Sequence, residues 1–391
     1  MVHVARRIKT IAPSATIEVS QKVKALMNNG VDVINLAGGE PFFDTPGYIR
    51  RAAEQALNSG MNRYEGSRGS LALREAVSND LFTNSKISAD PIDNILITPG
   101  SKQGLMYSLM TLLEPGDEVI IPEPYWVSYP SMVSLASGVP VRLPAHPEDK
   151  FAFNLERLSE FTTKKTKALI LNSPNNPSGK IITRDELLGL IGWMNHHDVV
   201  VICDEIYNRL LFDAEHISLA SFPEVAERVI TVNGFSKTYA MTGWRLGYVV
   251  GAKQFIDSAV VIQEQIATSV CNFAQYGALA ALTECPEFVE EMINDYRRHR
   301  QLLIEAVNQN SQLKAYPCEG TFYLFVDASS YGLPSHEICD RLLSDAGIST
   351  MPGSAFGDSG EGYLRMSFSV SEEVLRKLPD RLSSHNTVMA V

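Results

Sequence analysis

A single lysine set between two short apolar runs is the most chemically suggestive feature of this 391-residue chain. Lys237 lies in Asn233-Gly-Phe-Ser-Lys-Thr-Tyr-Ala-Met-Thr-Gly-Trp-Arg245, between Val229-Ile-Thr-Val232 and Leu246-Gly-Tyr-Val-Val250. An amine at such a loop, partly shielded from water, loses its proton readily and can attack a carbonyl. Arg245 follows eight residues later, a fixed cation placed to hold a phosphate. Taken alone, the pair reads equally well as a surface lysine and a structural arginine, so the other motifs decide.

Three further segments carry suitable groups. Pro99-Gly100-Ser101-Lys102-Gln103 follows an apolar run and opens a helical pattern. Backbone N–H groups at a helix start suit a phosphate; the plain alternative is a strand–helix turn with Ser101 as its N-cap. Asn172-Ser-Pro-Asn-Asn176-Pro-Ser-Gly179 ends another apolar run, and its prolines and glycine make a rigid turn able to fix an amide side chain. Asp204-Glu-Ile-Tyr207 follows the unbroken run Val199-Val-Val-Ile-Cys203. A carboxylate there needs a cation or hydrogen-bond donor, and ligands of open α/β sheets bind at that end of the strands. The chain has no G-x-G-x-x-G and no Walker A loop, which disfavours a nucleotide-binding dehydrogenase. The combined set is what pyridoxal 5′-phosphate (PLP) requires: a carboxylate for the pyridine nitrogen, neutral donors for O3′, and N–H groups with a cation for the phosphate.

The elements that must position these residues are legible as apolar runs alternating with helical patterns. Ile95 to Thr98, Glu118 to Ile121, Ala168 to Leu171, Val199 to Cys203 and the two runs flanking Lys237 read as strands. Helical patterns cover about Lys102 to Leu113 and Asp185 to Asn195. Continuous apolar strands separated by helices indicate an α/β sheet covered on both faces. The character changes near residue 286. A charged helix, Glu287 to Asn308, precedes strands at Thr321 to Val326 and Tyr363 to Phe368, with a helix at Ser335 to Ala346 between them. This length and pattern indicate a second, smaller α+β domain.

Composition narrows the partners. A formal net charge of −11 argues against nucleic acid. No apolar run approaches the length of a bilayer span, and the N-terminus lacks an apolar signal segment, so a cytoplasmic protein is expected. The five cysteines, Cys203, Cys271, Cys285, Cys318 and Cys339, are widely spaced and read as reduced thiols, with no metal site expected. His196-His197-Asp198 reads as a capping or surface group, and Arg297-Arg298-His299-Arg300 as a solvated helix face.

Over nearly its whole length the sequence resembles the class I/II PLP-dependent aminotransferases, and within them the bacterial aspartate/prephenate aminotransferase-like subgroup. The matching segments are Pro13-Ser-Ala-Thr16, Gly39-Glu-Pro41, Asp44-Thr-Pro46, Tyr64, Gly100 to Gln103, Tyr125-Trp126, Asn175 to Gly179, Asp204 to Tyr207, Ser236-Lys237 to Arg245, Pro352-Gly-Ser and Tyr363-Leu-Arg365. The resemblance implies fold type I, with a mostly parallel seven-stranded sheet flanked by helices in a large domain, 48–286. Residues 1–47 and 287–391 would form the small domain. It implies that Lys237 holds PLP as a Schiff base, that Asp204 pairs with the pyridinium nitrogen, and that Tyr207 and Asn176 bond O3′. Trp126 would stack on the ring, while backbone groups at Ser101 and Lys102, with Ser236 and Arg245, would hold the phosphate. The tyrosine matching Tyr64 serves a neighbouring subunit in this family, implying a homodimer. Gly39 would let backbone approach substrate, and Arg365 would clamp the α-carboxylate in a bidentate fork.

The implied reaction is ping-pong transfer of an amino group between an L-amino acid and a 2-oxo acid. In the subgroup, residues matching Lys102, Ser14 and Thr16 are tied to the distal carboxylate of dicarboxylic substrates, which points to aspartate or glutamate. Two departures bear on that choice. Phe42-Phe43-Asp44 replaces the more usual Asp-Phe-Asp, and Glu65-Gly-Ser-Arg-Gly69 lacks the commoner Pro-Ala-Gly pattern. They place Phe42 and Arg68 near the substrate entrance. The alternatives are a transaminase for prephenate, aromatic or other amino acids, a PLP-dependent C–S β-lyase on the same scaffold, and a regulatory PLP-binding protein.

Overall fold

A computed structural model of the chain describes residues 3–9, 11, 13–284 and 287–389; Cys285 lies outside them. Twelve strands are present among the described residues: β1 (Ile34–Asn35), β2 (Ile95–Thr98), β3 (Glu118–Pro122), β4 (Val139–Leu143), β5 (Thr166–Asn172), β6 (Val200–Asp204), β7 (Val229–Gly234), β8 (Gly247–Val250), β9 (Tyr323–Asp327), β10 (Ile348–Ser349), β11 (Met351–Pro352) and β12 (Tyr363–Ser367). Seven of them form one sheet in the order β2-β8-β7-β6-β5-β3-β4. All neighbours are parallel except at β8, which runs antiparallel to both β2 and β7.

The exception has a simple cause. Parallel neighbours need a crossover, usually a helix. Between β7 and β8 there is only a loop with one 3₁₀ turn, Thr242–Trp244. The chain therefore returns antiparallel, and Lys237 sits in that return at the carboxyl edge of the parallel strands.

Every residue of β2, β7 and β8 is buried, as expected of strands covered on both faces. Within the seven-stranded sheet, β4 is the strand that the sequence pattern did not show; the two-residue strands β1, β10 and β11 are too short to carry a pattern. β4 is an edge strand, Pro140 interrupts it, and Val139 and Arg142 are exposed, so it lacks the apolar run that marks the others. Helix ends agree closely with expectation: Ser101–Leu112, Arg184–His196, Glu287–Asn308 and Ser335–Ala346. Arg184–His196 starts with a reciprocal capping box between Thr183 and Glu186.

A second layer is built from β9, β11 and β12, with the β1–β10 pair beside it. Its apolar cluster takes Tyr296, Leu303 and Val307 from the long helix, Tyr323, Leu324 and Met366 from the strands, and Phe322 from just before β9. The same cluster includes Ile206, Tyr207, Leu210 and Phe212, from the segment that leaves β6. Asp204 therefore stands where the two layers meet.

One reading of the long helix needs correction. Arg297 and Arg298 are solvated, but His299 is buried against Tyr296 and Phe42. Arg300 turns inward to donate to the Cys318 carbonyl at 2.7 Å and to pair with Asp213 at 2.9 Å. The amphipathic period places positions 299 and 300 toward the core, and the run of basic letters concealed it.

Core packing of the central sheet should dominate stability. Ile202 is fully buried in β6, so Ile202→Ala should lower unfolding free energy by about 2–5 kcal/mol in urea titration. Removing the exposed Lys22–Asp340 ion pair by Lys22→Ala should change it by less than about 1 kcal/mol.

Candidate active site

The carboxyl ends of β5, β6 and β7, the start of helix Ser101–Leu112 and the residues after β1 surround a cavity of about 670 Å³. Such a volume suits a cofactor with a small substrate. Its wall includes Thr16, Gly39, Ser101, Lys102, Trp126, Asn176, Asp204, Tyr207, Ser236, Lys237, Arg245 and Arg365. These twelve residues come from widely separated segments, and the fold brings them together.

At the centre, Lys237 Nζ donates to the Gly39 carbonyl. The amine also lies 5.7 Å from the Phe322 ring centre and 6.0 Å from that of Tyr207. Burial lowers its pKa to about 8. The Arg365 and Arg245 cations push in the same direction, and the Glu40 and Asp204 carboxylates oppose them. A sizeable neutral fraction near neutral pH is what a nucleophilic amine needs.

Asp204 closes one side. Its Oδ2 accepts from Tyr129 Oη at 2.7 Å and its Oδ1 from the Ile206 amide at 3.3 Å. Burial raises its pKa to about 6, while those two donors and Lys237 work to lower it. Asn172 splints the neighbourhood: its Nδ2 donates to the Asp204 carbonyl at 2.9 Å and its Oδ1 accepts from the Asn176 amide at 2.8 Å. The rigid turn expected from the two prolines thus ties Asn176 to the strand end beside it.

The phosphate-suited corner depends on glycines. Gly100 caps helix Ser101–Leu112 with φ +84°, and a Cβ there would fall 2.6 Å from the Arg245 guanidinium. A Cβ on Gly247 would fall 2.4 Å from the Ser101 amide. Only bare backbone lets Arg245 and the first amides of the helix converge. The cap itself differs from the plain alternative: Gly100 occupies it, and Ser101 Oγ donates to the Asn233 carbonyl at 2.9 Å. That bond ties the helix start to β7. Arg245 adopts the left-handed conformation, φ +54°, and its Nη1 donates to the Thr242 carbonyl at 2.8 Å.

Arg365 projects from β12 and is 2% exposed. Its Nη2 donates to the Ala37 carbonyl at 2.8 Å and its Nη1 to Asn176 Oδ1 at 3.2 Å. The guanidinium lies 4.3 Å from the Tyr323 ring centre, and its Nε has no hydrogen-bond partner among the described residues. Tyr323 Oη is 3.2 Å from Tyr207 Oη. Lys102 Nζ is 3.2 Å from Ser128 Oγ and lies over the Trp126 ring at 5.0 Å. Burial and then Arg245 lower its pKa.

Some expected residues lie elsewhere. Ser14 is not in the cavity wall; its hydroxyl meets that of Thr16 at 2.9 Å. Tyr64 is 84% exposed and is not part of the wall of its own chain's cavity. Arg68 is not in the cavity wall: it pairs with Asp257 and donates to the Ile92 carbonyl at 3.1 Å. Phe42 lines a neighbouring open cleft with Trp244 and Leu57, one that shares Glu40 and Thr242 with the main cavity. The sequence reading missed Tyr129 and Tyr323. Tyr129 follows Trp126 by three residues and Tyr323 pairs with Ser367, two positions from Arg365, but only the fold shows that their hydroxyls meet Asp204 and Tyr207.

Known proteins resemble this chain over most of its length. The family model for aminotransferase class I and II matches residues 31–382. The chain is 41% identical to the aspartate aminotransferase of Pyrococcus abyssi over 354 residues, 90% of this chain and 91% of that protein. It is 40% identical to the aspartate/prephenate aminotransferase of Thermus thermophilus over 381 residues, 97% of each. The solved structure of Thermus thermophilus aspartate aminotransferase with maleate superimposes with a TM-score of 0.94 at 39% identity, covering 98% of this chain and all of that one.

Two outcomes follow from the geometry. Condensation of Lys237 with an added aldehyde should speed up with pH, about tenfold per unit below 8, and level off above it, because only the neutral amine attacks. Stopped-flow absorbance on the apoprotein measures this. Gly100→Ala should weaken phosphate-dependent binding by roughly tenfold or more through displacement of Arg245, as read by titration.

Proposed function

The chain belongs to the class I and II aminotransferases, and from that premise we propose a PLP-dependent enzyme that moves an amino group between a dicarboxylic L-amino acid and a 2-oxo acid. The observation that carries this reading is the convergence of Lys237, Asp204, Arg245 and Arg365 on one cavity. Aspartate or glutamate, with oxaloacetate or 2-oxoglutarate, are the substrates it favours.

The residues fit PLP on structural grounds. Asp204 is a buried carboxylate whose direct contacts are neutral donors, so a pyridinium would give it the cation it lacks. The glycine-lined corner leaves backbone amides and Arg245 for a phosphate. Asn176 and Tyr207 would be the neutral donors for O3′, Trp126 would supply a ring face, and the backbone of Ser101 and Lys102, with Ser236, would face the phosphate. When bound, PLP supplies an electron-withdrawing ring that makes the substrate Cα proton removable.

The chain's own groups do the rest. Arg365 holds the substrate α-carboxylate, its orientation fixed in advance by Ala37 and Asn176. The neutral Nζ of Lys237 takes the Cα proton and later returns one, as a general base and then acid with a pKa near working pH. Lys102, with Thr16 and the adjoining Ser14, faces the distal carboxylate. The sequence is ping-pong, the first oxo acid leaving before the second enters. The small domain, 1–47 and 287–391, closes over the large one, 48–286, to exclude water. Tyr64 is exposed on its own subunit and serves a partner's phosphate site in a homodimer. The free thiols of Cys203, Cys271, Cys318 and Cys339 suit the cytoplasm, and among the described residues no helix is long and apolar enough to cross a membrane.

Prephenate is the second acceptor to examine, since the name of the Thermus relative carries it and the cavity is roomy enough for a ring-bearing dicarboxylate. The deciding experiment mixes aspartate with 2-oxoglutarate and follows oxaloacetate, then repeats with prephenate. Steady formation of both products supports the reading. Pyruvate and ammonia from a cysteine conjugate without any acceptor would replace it with C–S lyase chemistry. Lys237→Ala should abolish turnover. Lys102→Ala should cut kcat/KM for dicarboxylates roughly ten- to a hundredfold while sparing neutral amino acids; equal losses for both would remove its distal-carboxylate role.

A further inference from the structure

We propose that Tyr129 is a positioning residue: its phenol holds Asp204 ionised and aimed at the ring nitrogen of the cofactor, an inference that rests on the PLP reading above. Tyr129 opens helix Tyr129–Leu135 and is 2% exposed. Its hydroxyl donates to Asp204 Oδ2 at 2.7 Å. Its ring meets Trp126 edge-to-face, centres 5.4 Å apart at 81°, and its amide donates to the Trp126 carbonyl at 3.0 Å. One residue therefore joins the aromatic wall to the carboxylate.

The chemistry of the donor matters. Burial pushes the Tyr129 phenol well above its ordinary pKa, so it stays a neutral donor throughout the working range. It can stabilise the charge on Asp204 without taking or delivering one. Without it, Asp204 would keep only the longer bond from the Ile206 amide, at 3.3 Å. A buried carboxyl with so little support drifts toward its neutral form. A neutral carboxyl makes a weaker bond to a protonated ring nitrogen than a carboxylate does.

The test separates this role from structural support. The full-length apoprotein is titrated with PLP and with 1-deazapyridoxal 5′-phosphate, whose ring carries C–H in place of nitrogen. The wild type should bind PLP more tightly. Tyr129→Phe keeps the ring contact with Trp126 and removes only the hydroxyl. It should weaken PLP roughly tenfold and leave the deaza analogue unchanged, so the ratio collapses. Equal weakening of both ligands, or an unaltered ratio, overturns the proposal. Should the phenylalanine variant fail to fold, 3-fluorotyrosine at position 129 offers a stronger donor of nearly the same shape. It should widen the ratio, and a ratio that stays level or narrows overturns the proposal. A wild type that binds both aldehydes equally would remove Asp204 from the ring nitrogen, and one that binds neither would remove the cofactor reading itself.

Discussion

A largely buried amine whose charge is disfavoured by burial is the constraint on which this structure turns. Lys237 can be reactive only if water is kept off it and cations stand nearby, and both conditions cost stability. The protein meets them by placing the lysine in the short return between β7 and β8. That return contains no crossover helix, so it makes β8 the one antiparallel strand of an otherwise parallel sheet. It also puts the lysine at the same edge as the ends of β5 and β6, where Asn172 and Asp204 stand paired in register. Carboxylates at Asp204 and Glu40 moderate the cationic surroundings without neutralising them.

The second layer is tied to that edge by specific hydrogen bonds as well as by the shared apolar cluster. Arg365 belongs to β12, yet it donates to Asn176 in the turn after β5 and to Ala37 in the segment after β1. Glu123, after β3, accepts from the amide and hydroxyl of Ser359 at 2.8 and 2.6 Å. Arg365 and the strand ends around Asp204 are therefore fixed relative to each other by hydrogen bonds that cross between layers. Preorganisation of this kind lowers the entropy lost when substrate binds.

Much of this was legible in the sequence, and the omissions have physical reasons. The strands β5, β6, β7 and β8 show as apolar runs because both of their faces are covered. β4 does not, because an edge strand with proline carries no such run. Asp204, Asn176, Lys237 and Arg245 announce themselves by standing at strand ends beside turn residues. Tyr129 and Tyr323 do not: a tyrosine in an apolar context looks like core until its hydroxyl partner is known, and both partners are distant in sequence. Arg68 misled for the opposite reason. An arginine in a glycine-rich loop beside Tyr64 looks available to substrate, but Asp257, far along the chain, takes its charge. Spacing reports which groups exist at an element's end, whereas pairing across long sequence separations decides which of them remain free for chemistry.

Charge balance then bears on substrate choice. Lys102, Lys237, Arg245 and Arg365 line the cavity against only Asp204 and Glu40, in a chain whose formal net charge is −11. The excess of cations is concentrated where ligands enter, which attracts anions against the overall charge of the molecule. A phosphate and one α-carboxylate would engage Arg245 and Arg365. Lys102 would still hold a partly desolvated ammonium against the face of Trp126. A neutral side chain arriving there would bury that charge further without compensating it, whereas a second carboxylate would offset the desolvation. Discrimination at this site thus works as much by penalising uncharged substrates as by attracting dicarboxylic ones.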